Sequence, residues 1–178
     1  MNKLIIEKLF NLQCFKFGLY KLKTNLESPF YINLRHLIAY PEIMKTLASI
    51  IYLELIEKHH LKCMEEGHIL SICGLPYAGM PIANYISNMY NIPLLLLRKE
   101  RKNYGTKQMI EGITEKTEKV ILIDDIITSG SSILESIQHF ENMEILDILV
   151  IIDREQKKQD NLNYNFLFKI SDIFHFLK

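Results

Sequence analysis

Apolar residues recur at helical spacing over residues 2–12, with Ile5, Leu9 and Leu12 near one face, which predicts a short amphipathic helix. The rhythm then changes to alternation. "CFKFGLYKL", through Phe15, Phe17 and Leu19, and "SPFYINLR", after a Ser-Pro turn signal, predict two short strands. Pro41 suits a first helical position. From there to Lys58 the residues Ile43, Leu47, Ile50, Ile51 and Leu55 share a face, predicting a long helix. Four apolar runs follow: "HILSICG", "IPLLLLR", "VILID" and "ILDILVIID". Helices are expected between them over about 78–89 and 132–142, the second carrying Ile133, Ile137 and Phe140 on one side. Apolar strands separated by helices indicate a mainly parallel sheet covered on both faces, an α/β fold. Residues 99–119 break this order. They are polar and Lys-rich, and a loop of that length in a compact domain is usually a functional lid or a disordered segment.

Composition narrows the class. The chain has 178 residues, enough for one domain with a sizeable core, and an ordinary balance of 48% apolar and 24% charged residues. The formal net charge is zero, so nothing in the whole-molecule charge favours nucleic acid or a membrane surface, and any anion site must be local. Cys14, Cys63 and Cys73 are widely spaced and odd in number, which suits reduced thiols in the cytoplasm. "HHLKC", with His59, His60 and Cys63, lacks a matching ligand cluster and reads as a helix end. The N-terminus has Glu7 within its apolar run and no small-residue cleavage site, so no targeting segment is expected. "IPLLLL" is too short to span a bilayer.

Candidate chemistry concentrates in "VILIDDIITSGSS", residues 120–132. A buried-strand pattern runs into Asp124 and Asp125 and then into a small hydroxyl-rich loop opening a helix. Ligands of open α/β sheets bind beyond the carboxyl ends of the strands. Free N–H groups at the helix start, hydroxyls from Thr128, Ser129, Ser131 and Ser132, and a permissive Gly130 suit a phosphate. Two carboxylates would repel that phosphate, so they are expected to face hydroxyls or a magnesium ion beside it. Phosphorylated ribose meets both demands. The plainer alternative is a solvated strand end with a serine N-cap.

The same stretch resembles the binding motif for 5-phosphoribosyl 1-diphosphate (PRPP) of the type I phosphoribosyltransferases. "FKFGLYKLKTNLESPFYINLR" (15–35), "CGLPYAGMPIA" (73–83), "RKERKNYGTKQMIEG" (98–112) and "IIDREQ" (151–156) resemble segments of orotate phosphoribosyltransferases, above all the form that opens eukaryotic UMP synthase. The resemblance implies a type I phosphoribosyltransferase fold. It has a hood over about 1–40 plus the C-terminal segment, a PRPP-binding core over about 41–155 and a flexible lid over about 99–112. It implies conversion of orotate and PRPP to orotidine 5′-monophosphate and pyrophosphate with Mg²⁺, in UMP biosynthesis. A homodimer sharing lid residues across subunits is implied, and with it a separate or detached orotidylate decarboxylase.

By that resemblance Asp124 and Asp125 hold the ribose hydroxyls, directly or through water and metal, and Thr128, Ser129, Gly130, Ser131 and Ser132 bind the 5′-phosphate. Arg98, Lys99, Lys102, Tyr104 and Tyr77 serve the PRPP diphosphate and the lid. Lys23, Phe30, Tyr31 and Thr128 lie near orotate, and Arg154 pairs with its carboxylate. Lys102, Lys99 and Asp125 carry the catalytic work. No residue is assigned directly to the metal, which would be bound mainly through PRPP with Asp124 and Asp125 as candidate contacts. The chain departs from the family pattern in three places: Ala78 follows Tyr77 where many relatives have lysine, Tyr104 replaces a common histidine, and Lys23-Thr24-Asn25 replaces "KSG". Two other readings of the motif stay open here, transfer to another base and a PRPP-binding regulator without catalysis.

Overall fold

A computed structural model of the chain describes residues 2–21, 27–100, 108–157 and 162–176. Lys23, Lys102 and Tyr104 lie outside the described residues. The sheet expected from the apolar runs is formed by β3 (Leu70–Gly74), β4 (Leu94–Leu97), β5 (Ile110–Glu111), β6 (Lys119–Ile127), β7 (Glu144–Asp153) and β8 (Asn165–Lys169). Its strand order is β5-β4-β3-β6-β7-β8, parallel throughout except where β5 runs antiparallel to β4. Among the described residues no helix is long and apolar enough to cross a membrane.

Burial on both faces explains the unbroken apolar runs. Ile72, Ile121, Ile123, Leu149 and Ile151 face a large cluster built by α1 (Asn2–Asn11), α2 (Pro41–Ile51), α3 (Glu57–Glu66) and α4 (Gly79–Tyr90). Cys73, Val120, Leu122, Ile148 and Val150 face a smaller cluster with Ile133 of α5 (Ser131–Ile137) and Phe140. The hairpin of β1 (Phe15–Lys21) and β2 (Glu27–Ile32) forms a second, two-stranded sheet. It packs with α6 (Ile170–Phe176) through Phe17, Phe30 and Phe174. Elements near both ends of the chain thus pack together here.

Four details differ from the sequence expectation. The helix expected to stop at Lys58 passes through a π-helical turn at Tyr52–Ile56 and runs on to Glu66, where Gly67 adopts the left-handed conformation that ends it. Helix α5 stops at Ile137 and not near Asn142, because His139 N–H bonds to Ser136 and Phe140 N–H to Ile137, tightening the chain so that Phe140 enters the core. The polar segment 99–119 contains β5, whose two residues are too few to show a period. Finally, β8 and α6 form where no strand or helix was named in advance.

Candidate active site

Strand β6 does not stop at the acid pair. Asp124 pairs in register with Val150, and the ladder continues through Ile126 with Ile152 and Ile127 with Asp153. Two-residue alternation slips across the acids: Ile126 packs against the cluster of Ile121 and Ile123, and Ile127 against that of Val120 and Leu122. The Asp124 carboxylate accepts from Asp125 N–H at 2.9 Å, and the Asp125 carboxylate from Ile126 N–H at 2.9 Å. Among the described residues neither acid has an ion pair closer than 4.0 Å. Burial, and then the neighbouring Asp125 charge, hold the Asp124 carboxyl well above the usual carboxylate range. Burial also raises Asp125, opposed by its hydrogen bonds to Asp124 and Ile126 and by the charge of Arg35. Two buried acids without a close ion pair among the described residues are a place for a hydroxyl-rich or cationic guest.

The first turn of α4 presses on this point. A Cβ on Gly79 would lie 2.1 Å from the Ile123 carbonyl oxygen and 3.2 Å from Asp124 Cα. One on Gly74 would lie 2.3 Å from the Gly79 carbonyl oxygen. Leu75 N–H donates to Ile123 O at 2.8 Å. Glycines at 74 and 79 therefore let the β3–α4 turn, with its cis Pro76–Tyr77 peptide, sit directly beside the acids.

Beyond Ile127 the chain bends through Thr128–Gly130 into α5. Gly130 has φ 84°, and the Ser129 and Ser131 hydroxyls are 2.7 Å apart. Leu162 packs over Gly130, its Cδ2 being 2.5 Å from where a Cβ would stand. Thr128, Ser129 and Ser131 are half-buried and Ser132 is exposed, so the predicted phosphate loop comes together as one small hydroxyl-bearing turn.

Two further strand ends contribute. Lys99, just past β4, places its ammonium 5.5 Å from the ring centre of Tyr77. Both line a shallow groove of about 340 Å³ together with Met80 and Arg98. Arg98 itself is tied to Glu111 of β5 through Nε at 2.8 Å and through Nη2, so the structure uses it at the base of the 99–110 segment. The larger concavity, about 790 Å³, lies between residues 108–110 and the end of α5. Of the predicted residues that are described, Lys99 alone lines it.

At the end of β7, Arg154 N–H donates to Ile127 O at 3.1 Å, fixing it beside the phosphate loop. Its guanidinium carbon lies 4.7 Å from the Phe30 ring centre, and Nη2 donates to Ser28 Oγ at 3.1 Å. Its Nε is buried without a hydrogen-bond partner among the described residues, and burial lowers its affinity for the proton. A buried, unsatisfied donor on a cation is a strong invitation to an anion. Phe30 and Tyr31 point to opposite faces of β2, as successive strand residues do. Phe30 meets Arg154, and Tyr31 packs on Tyr20 at 5.5 Å. Ser28, Arg35 and Glu111 went unrecognised in the sequence. Ser28 had read only as a turn signal, and nothing local marks a serine that will be buried against an arginine 126 positions away.

Among the described residues no group of three or more His, Cys, Asp or Glu side chains converges. His60 bonds to the Tyr52 hydroxyl at 3.1 Å and Cys63 is buried, so "HHLKC" is spent on packing.

The chain has counterparts among known proteins. Residues 44–178 match the phosphoribosyl transferase domain family. The chain is 37% identical over 166 residues to the orotate phosphoribosyltransferase of Caenorhabditis elegans, covering 90% of this chain and 70% of that one. It belongs to the orotate phosphoribosyltransferase family. The family likeness extends to the uridine 5′-monophosphate synthase of Bos taurus, 36% identical over 162 residues, or 89% of this chain and 32% of that protein. The chain thus spans about a third of that relative's length. The crystal structure of the orotate phosphoribosyltransferase from Aeropyrum pernix superposes with a TM-score of 0.78, covering 97% of each chain at 21% identity, which shows a shared fold.

Proposed function

We propose that the protein transfers the 5-phosphoribosyl group of PRPP to orotate, giving orotidine 5′-monophosphate and pyrophosphate in the biosynthesis of UMP. The observation that carries this reading is the position of Arg154. A half-buried guanidinium with a free donor lies next to the Asp124–Asp125 and Thr128–Ser132 turn. A ribose phosphate in the turn leaves the arginine for a base that bears a carboxylate. Orotate bears one, whereas uracil and the purines do not.

In the reaction a ring nitrogen of orotate bonds to ribose C1 as the C1–O bond to diphosphate breaks. The electron pair leaves with the diphosphate, and the ring N–H proton is released. Charge grows on the leaving group while C1 becomes cationic, so positioning and fixed charges dominate catalysis. Asp124 and Asp125 orient the ribose hydroxyls, and Asp125 lies near the cationic carbon. Thr128, Ser129, Gly130, Ser131 and Ser132 hold the 5′-phosphate. Lys99 and Tyr77 line the diphosphate groove, and Lys102, Lys23 and Tyr104 are assigned there or at orotate by family resemblance alone. Arg98 supports the segment from its pairing with Glu111. Phe30 stacks beneath the Arg154 guanidinium.

Two adjacent hard oxygen donors suit Mg²⁺ if phosphate oxygens and water complete its octahedron, and they do not suffice alone. Bound to PRPP, the ion would neutralise diphosphate charge. The same reading includes a homodimer, a cytoplasmic site of action and a decarboxylase acting next, on a separate chain or on a part of the protein beyond this one.

The test is direct. Pure protein given orotate, PRPP and Mg²⁺ should consume orotate absorbance and release pyrophosphate. Adenine, hypoxanthine and uracil should be poor substitutes. Turnover of a neutral base with orotate left untouched would refute the assignment.

A further inference from the structure

Ser28 is the second residue of β2 in sequence but lies against Arg154 of the candidate site in space. It is 4% exposed, a deeply buried polar side chain. Its hydroxyl proton goes to the Phe30 carbonyl at 2.7 Å, a bond closed within the strand. With the proton committed there, the oxygen lone pairs are all that Ser28 can offer, and Arg154 Nη2 donates to them at 3.1 Å. The same oxygen is 3.4 Å from Phe30 N. One atom therefore fixes both the backbone of Phe30 and the guanidinium that lies 4.7 Å from the Phe30 ring centre.

Arg154 needs such a fix. Its backbone is held by Ile127 O, but four side-chain torsions separate that point from the guanidinium. Stacking on Phe30 confines the plane of the group without setting its rotation in that plane. A hydrogen bond at Nη2 sets the rotation and so the direction in which the unpartnered Nε–H points. Planar, two-pronged recognition of a carboxylate depends on that direction. We infer that Ser28 is the positioning residue for Arg154, locking the guanidinium in the rotation that accepts a substrate carboxylate and coupling the hood to base selection. Ser28 does not itself touch the reacting atoms. It acts through Arg154, and the inference rests on the orotate reading above.

The experiment is a double-mutant cycle with Ser28→Ala, Arg154→Ala and the pair, reading KM for orotate, KM for PRPP, kcat and thermal melting. Ser28→Ala should raise the orotate KM on the order of tenfold, the scale of one hydrogen bond to a charged group. KM for PRPP and kcat should change by less than about twofold, the pattern of lost substrate binding. In the Arg154→Ala background the serine change should add nothing, since its target is gone. Ser28→Thr keeps the hydroxyl and should restore most of the orotate affinity. Should Ser28→Ala not fold, Ser28→Cys takes its place in the cycle, filling the site with a much weaker acceptor. An unchanged orotate KM, an equal loss for PRPP, or additive losses in the double mutant would each overturn the inference. If the parent protein leaves orotate untouched, the orotate reading fails and this inference with it. If the parent turns orotate over normally and the variants behave like it, only the role of Ser28 falls.

Discussion

Arg154 carries a charge into a half-buried position and leaves one of its donors unpaired, which a fold tolerates only for a reason. Replacing it with alanine removes a charge-assisted contact of roughly 1.5–3 kcal/mol. The orotate Kd of Arg154→Ala is therefore expected to rise about ten- to a hundredfold, while PRPP binding stays near the parent value. Calorimetric titration with each ligand separates the two, and an unchanged orotate Kd would remove the carboxylate assignment. Asp124 makes a different prediction. Its carboxyl in the fold binds a proton more readily than in the unfolded chain, because burial and Asp125 penalise the ionised form. A raised carboxyl supports the fold at low pH, and that support is lost as pH rises from the ordinary aspartate range through the native value. Asp124→Asn removes the penalty and can still accept from Asp125 N–H. It should be more stable than the parent to urea at about pH 7, with the difference vanishing near pH 3. Its activity should drop sharply all the same. A parent that is the more stable of the two at neutral pH would show that a buried partner satisfies the charge.

Among elements, the contact of the β3–α4 turn with β6 is the tightest that bears on the site. Gly79 lies so close to the Ile123 carbonyl that any side chain must displace one of the two backbones. Gly79→Ala is expected to cost about 1–3 kcal/mol by overpacking, seen as a lower urea midpoint. Activity should fall further than stability alone accounts for, since the displaced atoms carry Asp124. A variant as stable and active as the parent would mean the turn has room to move. The elements also show how far pattern reading reaches. The four apolar runs were legible because burial on both faces leaves unbroken apolar stretches; the hairpin strands were found by alternation, although Phe17 and Leu19 of β1 are exposed. The extension of α3, the early end of α5 and the two residues of β5 were not, because each is decided by a neighbouring element and not by its own sequence. Of the site, the acid pair and hydroxyl turn form one contiguous local stretch and were readable. Tyr77 and Lys99 meet only because β3 and β4 are adjacent, and Ser28 meets Arg154 only because the hood folds over β7.

At the scale of the whole molecule, the proposed dimer makes a prediction about shared sites. If the segment bearing Lys102 serves the partner's aspartates, Lys102→Ala and Asp125→Asn should each be nearly inactive alone. Mixed by unfolding and refolding together, they should recover about a quarter of the parent activity, since half the dimers would be mixed and each would hold one intact site. No recovery from a sample shown to contain mixed dimers would place the segment over its own subunit's site. The sequence by itself determined the α/β class, the four apolar core strands in their chain order and one contiguous stretch in which two acids run into a hydroxyl-bearing turn. These follow from burial periodicity and from residues adjacent in the chain, which no later packing can separate. Only the tertiary structure decided which strands became neighbours, and that an arginine and a serine 126 positions apart would meet beside that turn. Such meetings depend on the path of the backbone through space, and the side chains involved carry no sign of it in their own neighbourhood.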